Sequence, residues 1–153
     1  MQEPLRLRRA TARDVPAIVA MLADDVLGRR REDASPQALA RYLQAYADID
    51  SDPRQLLAVA ERAGTVVGCL QLTFIPGLSH QGAWRGQIES VRVSSSERGS
   101  GVGRAMLSWA IGQCRERGCT VVQLTTDKSR ADARRFYESL GFTASHEGMK
   151  LAL

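Results

Sequence analysis

The chain is short of several things, and each shortage narrows what it can be. No apolar run approaches the roughly 20 residues that a bilayer-spanning helix needs. The opening Met1-Gln2-Glu3-Pro4-Leu5-Arg6 lacks the basic-then-apolar layout of a secretory signal. No membrane partner is therefore expected. Cysteine occurs three times, at Cys69, Cys114 and Cys119, too few for a disulfide framework, and the expected location is a reducing cytoplasm. These cysteines sit in no motif and lack the ligand spacing of a zinc site, so they read as small core residues and no metal is expected. Aromatic residues make up only 5% of the chain. With no helix-turn-helix and no aromatic platform, a nucleic acid is not the expected partner, even at an isoelectric point near 9.3. Repeats and low-complexity tracts are missing too, which excludes solenoids and linker-joined arrays.

What is present is 153 residues, 44% hydrophobic and 25% charged, the size and composition of a single globular domain, 1–153. The net charge of +4 is unevenly spread: residues 1–76 hold ten basic and ten acidic side chains, residues 77–153 eleven and seven. A basic second half is either a solvated face or a site for a polyanion.

Hydrophobic periodicity gives the element order βααβββαβαββ. Leu5 to Arg8 alternates as a first strand. Val15, Ile18, Val19, Leu22 and Val26 recur at helical spacing, with Thr11 or Asp14 as the cap. Ser35-Pro36 opens a second helix, striped by Leu39, Tyr42, Leu43 and Tyr46 and ended at Asp52-Pro53. Leu56–Glu61 and Val66–Ile75 form a hairpin around Ala63-Gly64, with Val66, Leu70, Leu72 and Phe74 on one face and Gln71 and Thr73 on the other. Gln87–Val93 is a further strand. A buried helix from about Gly101 to Arg117 follows, with Trp109 in its core stripe and Gly118 as its stop. Val121–Leu124 is a strand, and Ala133, Phe136, Tyr137 and Leu140 make a short helix closed by Gly141. Phe142–Ser145 and Met149–Leu153 are expected as a last hairpin. The pattern describes an α/β or α+β domain with a mixed sheet.

The chemistry is concentrated between Glu89 and Arg104. There a strand runs into Arg98-Gly99-Ser100-Gly101-Val102-Gly103-Arg104, a loop with three glycines that opens the buried helix. Glycine permits positive φ and close approach of the main chain to a ligand. The start of a helix offers N–H donors without intrahelical partners and a partial positive charge, so the expected ligand is an anion, and phosphate in particular. The spacing is not that of the nucleoside-triphosphate loop, and the dinucleotide fingerprint is incomplete and sits after several strands.

Arg98-x-x-Gly101-x-Gly103 after a strand, followed about 30 residues on by Ala133-Arg134-Arg135-Phe136-Tyr137-Glu138-Ser139-Leu140-Gly141-Phe142, resembles the GNAT superfamily of acetyl-coenzyme A-dependent N-acetyltransferases. The likeness extends along the whole element order. It implies a single GNAT-like domain of α/β (α+β) type. Its central sheet would be mixed and mostly antiparallel, splayed between strands 4 and 5 and flanked by about four helices. The implied cosubstrate is acetyl-coenzyme A, and the implied acceptor is the primary amine of a small molecule or peptide. The pyrophosphate would lie on residues 98–104, and the pantetheine arm and acyl oxygen against main-chain groups of Val91, Arg92 and Val93. Tyr137 would protonate the departing thiolate. Arg130 stands where many relatives carry an asparagine that helps to hold the cofactor, and a phosphate contact is the alternative there.

Glu89, beside the expected thioester position, is the candidate general base, its carboxyl raised by burial; the structural alternative is pairing with Arg85 or Arg92. His80, in the loop 76–84, is an alternative base or substrate contact. The run Arg29-Arg30-Arg31 reads as a solvated loop. Relatives place the first helix pair over the acceptor, which makes Asp24, Asp25, Tyr42 and Tyr46 candidates for gripping a cationic substrate. A homodimer is compatible with the resemblance. The competing reading is a non-catalytic acyl-coenzyme A-binding regulatory domain, since a fold alone does not fix function.

Overall fold

The computed structural model describes residues 2–153. The chain divides into two compact units, Met1–Gln123 and Leu124–Leu153. The first contains β1 (Leu5–Arg9), α1 (Val15–Ala23), α2 (Gly28–Arg31) and α3 (Leu39–Asp50), then β2 (Gln55–Arg62) and β3 (Thr65–Ile75). A short turn with left-handed backbone at His80, Gln81 and Gly82, labelled α4 (Ser79–Gly82), precedes β4 (Trp84–Val93) and the long α5 (Val102–Glu116). β5 (Cys119–Leu124) is the last strand, and α6 (Ala131–Ser139) lies in the second unit.

The strands form one sheet in the order β1-β2-β3-β4-β5. The first three pairings are antiparallel, and β5 lies parallel to β4. Thr120 Oγ1 reaches Trp84 O at 3.5 Å and Gln123 Nε2 reaches Gln87 Oε1 at 2.9 Å. On that register β5 runs out beside Ile88, and Glu89–Val93 continue beyond its last residue.

One face of the sheet packs on α5. Leu70, Leu72, Phe74 and Ile88 are at most 1% exposed, as are Val102, Met106, Leu107, Ala110 and Cys114 of the helix. A side chain at Gly86 would collide with Cys114 Sγ, and one at Gly68 with Met106 Sδ. The small residues in β3 and β4 are thus what lets α5 lie close. On the other face, Ile18 and Met21 of α1 meet Val59 and Cys69.

Three sequence expectations need correction. A bulge between Ala60 and Glu61 shifts the β2–β3 register, and an extra residue turns the chain beyond it to the opposite face. Val66 accordingly packs with Cys69 and Val59 rather than beside Leu70. In α5 the core position belongs to Leu107, 0% exposed, while Trp109 is only half-buried. No strand forms over 142–153, where the last hairpin was expected; Met149, Leu151 and Leu153 of that segment stand exposed.

Asp14 ties β1 to the start of α1. It accepts two hydrogen bonds from Arg8, at 2.8 and 3.0 Å, and one from the Thr11 N–H at 2.7 Å. Arg8 Nε meets Glu61 at 2.7 Å on β2. Hydrogen bonding from the Arg8 guanidinium holds the Asp14 carboxyl below its ordinary 3.8, against a smaller opposing effect of burial. A lowered carboxyl contributes stability in full above its unfolded value and loses it as pH falls through the folded one. The melting temperature of the protein should therefore fall between about pH 5 and pH 2, and Asp14→Asn should flatten that fall in a thermal denaturation series.

Candidate active site

β4 is where the regular sheet breaks. Cys69 pairs with Arg92, but Gln71 pairs with Glu89, so Ser90 and Val91 together face the single residue Leu70. Ser90 takes up the extra residue with φ +55°. This is a bulge with a left-handed non-glycine residue, a conformation that persists only where its surroundings enforce it. Val91, Arg92 and Val93 follow directly, and all three are half-buried.

The loop after β4 passes through a short 3-10 turn, Ser95–Glu97, and two left-handed glycines, Gly99 at φ +80° and Gly101 at +89°, before α5 begins at Val102. A Cβ on Gly99 or Gly101 would have nothing within 4 Å; the cradle is open on that side. The Ala105 N–H turns back to Gly101 O at 3.0 Å and the Ser100 N–H to Glu97 O at 3.2 Å. The N–H groups of Val102 and Gly103 fall in the first turn, where a helix supplies no carbonyl for them. The Ser100 hydroxyl is turned inward, onto Glu97 O at 2.5 Å and Oε2 at 3.0 Å. Left-handed glycines, open space and first-turn donors together fit a diphosphate.

Acidic side chains at the end of α1 hold the arginines of this region. Arg92 Nε lies 3.0 Å from Asp25 Oδ2, close enough for an ion pair without the alignment of a hydrogen bond. Arg92 Nη1 donates to Val91 O at 2.8 Å, and Asp25 Oδ1 also accepts the Gly28 N–H at 2.5 Å. Asp25 is thus spent on structure rather than left to grip a substrate. Arg98 is exposed and lies 3.9 Å from the Asp24 carboxylate. Beside this pair a cleft of about 450 Å³ opens between α1 and the loop, lined by Met21, Asp24, Ala34, Ser94 and Ser95 among others. Arg104, on the first turn of α5, is exposed.

The remaining first-unit candidates are scattered. Glu89 is exposed, so the burial expected around it is missing, and Arg92 is paired with Asp25 instead. The Tyr42 hydroxyl donates to Glu32 at 3.1 Å and accepts the Asp33 N–H at 3.0 Å, which leaves it little to offer a cation. Burial, helped by the Asp50 carboxylate, pushes the Tyr46 phenol above its ordinary value. His80 is exposed on α4, at φ +53°. Burial pushes the Cys69 thiol up to about 12 and Cys114 up to about 11. Such thiols stay protonated at neutral pH, which removes them as acyl-accepting nucleophiles.

In the second unit, Asp127 accepts from the Ser129 N–H at 2.9 Å and its hydroxyl at 2.6 Å, a turn that leads into α6 with Arg130 at its N-cap. A cleft of about 350 Å³ there is lined by Ser129–Ala133. At the other end of the helix, Phe142 N–H bonds Tyr137 O at 3.1 Å and Gly141 N–H bonds Glu138 O at 3.0 Å, with Gly141 at φ +97°. This is a Schellman closure, and it explains the Leu140-Gly141-Phe142 ending. The Tyr137 ring is clasped edge-on by Phe136, at 5.3 Å, and Phe142, at 5.9 Å.

Sequence reasoning missed one part of β4. Gly86 and Ile88 turn to α5, so Arg85, Gln87 and Glu89 share the opposite face. The alternation Arg85-x-Gln87-x-Glu89 was the available signal, since a strand places every second residue together.

A bulged fourth strand feeding a glycine cradle at the head of a buried helix, in a five-stranded mixed sheet, defines an acetyltransferase. The chain belongs to the Acetyltransferase (GNAT) family, whose model matches residues 20–142. It is 31% identical over 140 residues to an aminoalkylphosphonate N-acetyltransferase of Salmonella typhimurium, covering 92% of this chain and 86% of that one. It is 36% identical over 90 residues to a glucosamine 6-phosphate N-acetyltransferase of Trypanosoma brucei brucei, covering 59% of each. Among solved structures, a protein of Bacillus halodurans C-125 described as a transcriptional regulator superposes with a TM-score of 0.95 at 49% identity, over 98% of this chain and all of that one.

Proposed function

We propose that residues 1–153 act as one N-acetyltransferase domain that moves an acetyl group from acetyl-coenzyme A to a primary amine of a small molecule or peptide, by direct attack within a ternary complex. The observation that carries this reading is the succession, within about fifteen residues of chain, of the Ser90 bulge, the Val91–Val93 main chain and the left-handed glycines at 99 and 101. It supplies one stretch for the acyl group and another for the diphosphate. Two of the relatives matched by sequence act, by their names, on amines that carry a phosphonate or a phosphate, which favours a small molecule.

In this reading the N–H groups of Val102 and Gly103 bind the diphosphate, with Arg98 and Arg104 as flanking cations and Arg130 as a further one. Main-chain N–H groups of Val91–Val93 oppose the negative charge that develops on the acyl oxygen. An alkylamine has a pKa near 10.4, and making it neutral at pH 7 costs about 4–5 kcal/mol. Glu89, directly or through water, takes that proton. Its exposure suits a group that must first meet the incoming ammonium. The Tyr137 hydroxyl, its ring fixed by Phe136 and Phe142, gives a proton to the departing thiolate.

The test is thiol release from acetyl-coenzyme A across an amine panel. Tyr137→Phe should lower kcat about a hundredfold with coenzyme A affinity held. Glu89→Gln should lower kcat with coenzyme A affinity held. A second reading, an acyl-coenzyme A-binding regulatory domain, is favoured by the description of the Bacillus halodurans neighbour. Tight binding by the wild-type chain with no amine turned over would establish it instead.

A further inference from the structure

The face of β4 that carries Glu89 is built as a surface, and its register shows how. Gln55 pairs with Thr73, and Thr73 with Gln87. Gln123 Nε2 donates to Gln87 Oε1 at 2.9 Å. One row of hydrogen-bonding side chains therefore crosses four strands. In the next row Gln71 stands opposite Glu89. Gln71 Nε2 and Thr73 Oγ1 both donate to Gln55 Oε1, at 3.0 and 2.9 Å. Those bonds use the Gln55 and Gln87 carbonyls and leave the amide hydrogens of both, together with the carbonyls of Gln71 and Gln123, to pair with something else. Each of these side chains is half-buried. The floor thus offers donors and acceptors without net charge.

The two ends of that floor on β4 are charged, and oppositely. Glu89 stands exposed at one end. Arg85 stands at the other, half-buried, with its Nη1 beside Gly77. Among the described residues no carboxylate meets Arg85, whereas Arg8, Arg62, Arg92 and Arg98 all have one. The two stand four positions apart on the strand, roughly 13 Å between Cα atoms, and both side chains are long enough to lean inward over Gln87.

We infer that this sheet face is the acceptor subsite, and that it takes a primary amine bearing a phosphorus oxyanion, as phosphate ester or phosphonate, with Arg85 as the residue that reads the anion. The inference rests on the proposed role of Glu89. The ammonium goes to Glu89, polar groups along the acceptor meet the amide floor, and the oxyanion receives the planar guanidinium, which matches it in two-point geometry. A neutral amine leaves Arg85 without a partner, and a diamine sets like charge against it, so the face discriminates by repulsion as well as attraction.

The experiment uses the full chain and matched acceptors: an aminoalkylphosphonate against the alkylamine of equal length, and an amino-sugar phosphate against the amino sugar. The anionic member of each pair should be preferred in kcat/KM by about tenfold to a hundredfold, the worth of a hydrogen-bonded charge. Arg85→Gln should erase the preference by raising KM for the anionic acceptors, and Arg85→Lys should restore part of it. The two pairs separate phosphonate from phosphate ester as the source of the anion. Amine turnover without a preference, or a preference that survives Arg85→Gln, overturns the subsite and leaves the acetyltransferase reading standing. If no amine is turned over, that reading falls, and calorimetry with the same pairs in the presence of coenzyme A decides the subsite by the same Arg85-dependent difference.

Discussion

Gly101→Asp is expected to lower the affinity for coenzyme A at least a hundredfold while the protein stays folded. Gly101 sits at φ +89°, where side chains are strained, yet a Cβ there would touch nothing within 4 Å. The fold therefore tolerates the substitution at a cost of about 1–2 kcal/mol for the backbone conformation. The ligand does not, because the empty space beside Gly101 is the space a diphosphate would occupy against the Val102 and Gly103 N–H groups. Hydrogen bonds to a charged oxygen are worth about 1.5–3 kcal/mol each, so losing two costs at least a hundredfold in affinity, and the added carboxylate repels what remains. Gly101→Asn, of nearly the same shape but uncharged, separates obstruction from repulsion. Calorimetry with coenzyme A reads both, and unchanged affinity in the aspartate variant would show that the loop is only a turn.

The glycine loop was legible because its chemistry is local: consecutive residues specify a turn and a helix start that need no distant partner. The same holds for α6, whose closure at Gly141 is set by three adjacent residues. The hairpin of β2 and β3 and the parity of β4 were also readable from alternation. What escaped was set by pairing between strands. The bulge opposite Leu70 and the one beside Ala60 insert a residue without any mark in composition, and each changes which face follows. Asp25 looked like a substrate contact because nothing in the sequence announces that Arg92, 67 positions later, folds onto it. The amide floor has the same origin: Gln55, Thr73, Gln87 and Gln123 are unremarkable singly and form a row only once four strands are in register.

Leu107→Ala should cost about 2–5 kcal/mol and lower the melting temperature by about 5–15 °C, far more than Trp109→Ala, although tryptophan is the larger side chain. The buried positions of α5 are Val102, Met106, Leu107, Ala110 and Cys114. At about 100° per residue, Leu107 falls within roughly 65° of the centre of that arc and Trp109 roughly 95° away, on the flank. Leu107 is 0% exposed against the sheet, so its removal leaves a cavity that β3 and β4 cannot close without moving. Trp109 is half-buried, and solvent and neighbours fill part of the space it vacates. The two variants measured side by side by thermal denaturation fix the rotation of α5, and with it the direction in which its first turn presents N–H groups to a ligand. Equal losses, or a larger one for Trp109, would mean that the helix is rotated from this position and that the cradle at Gly101 faces elsewhere.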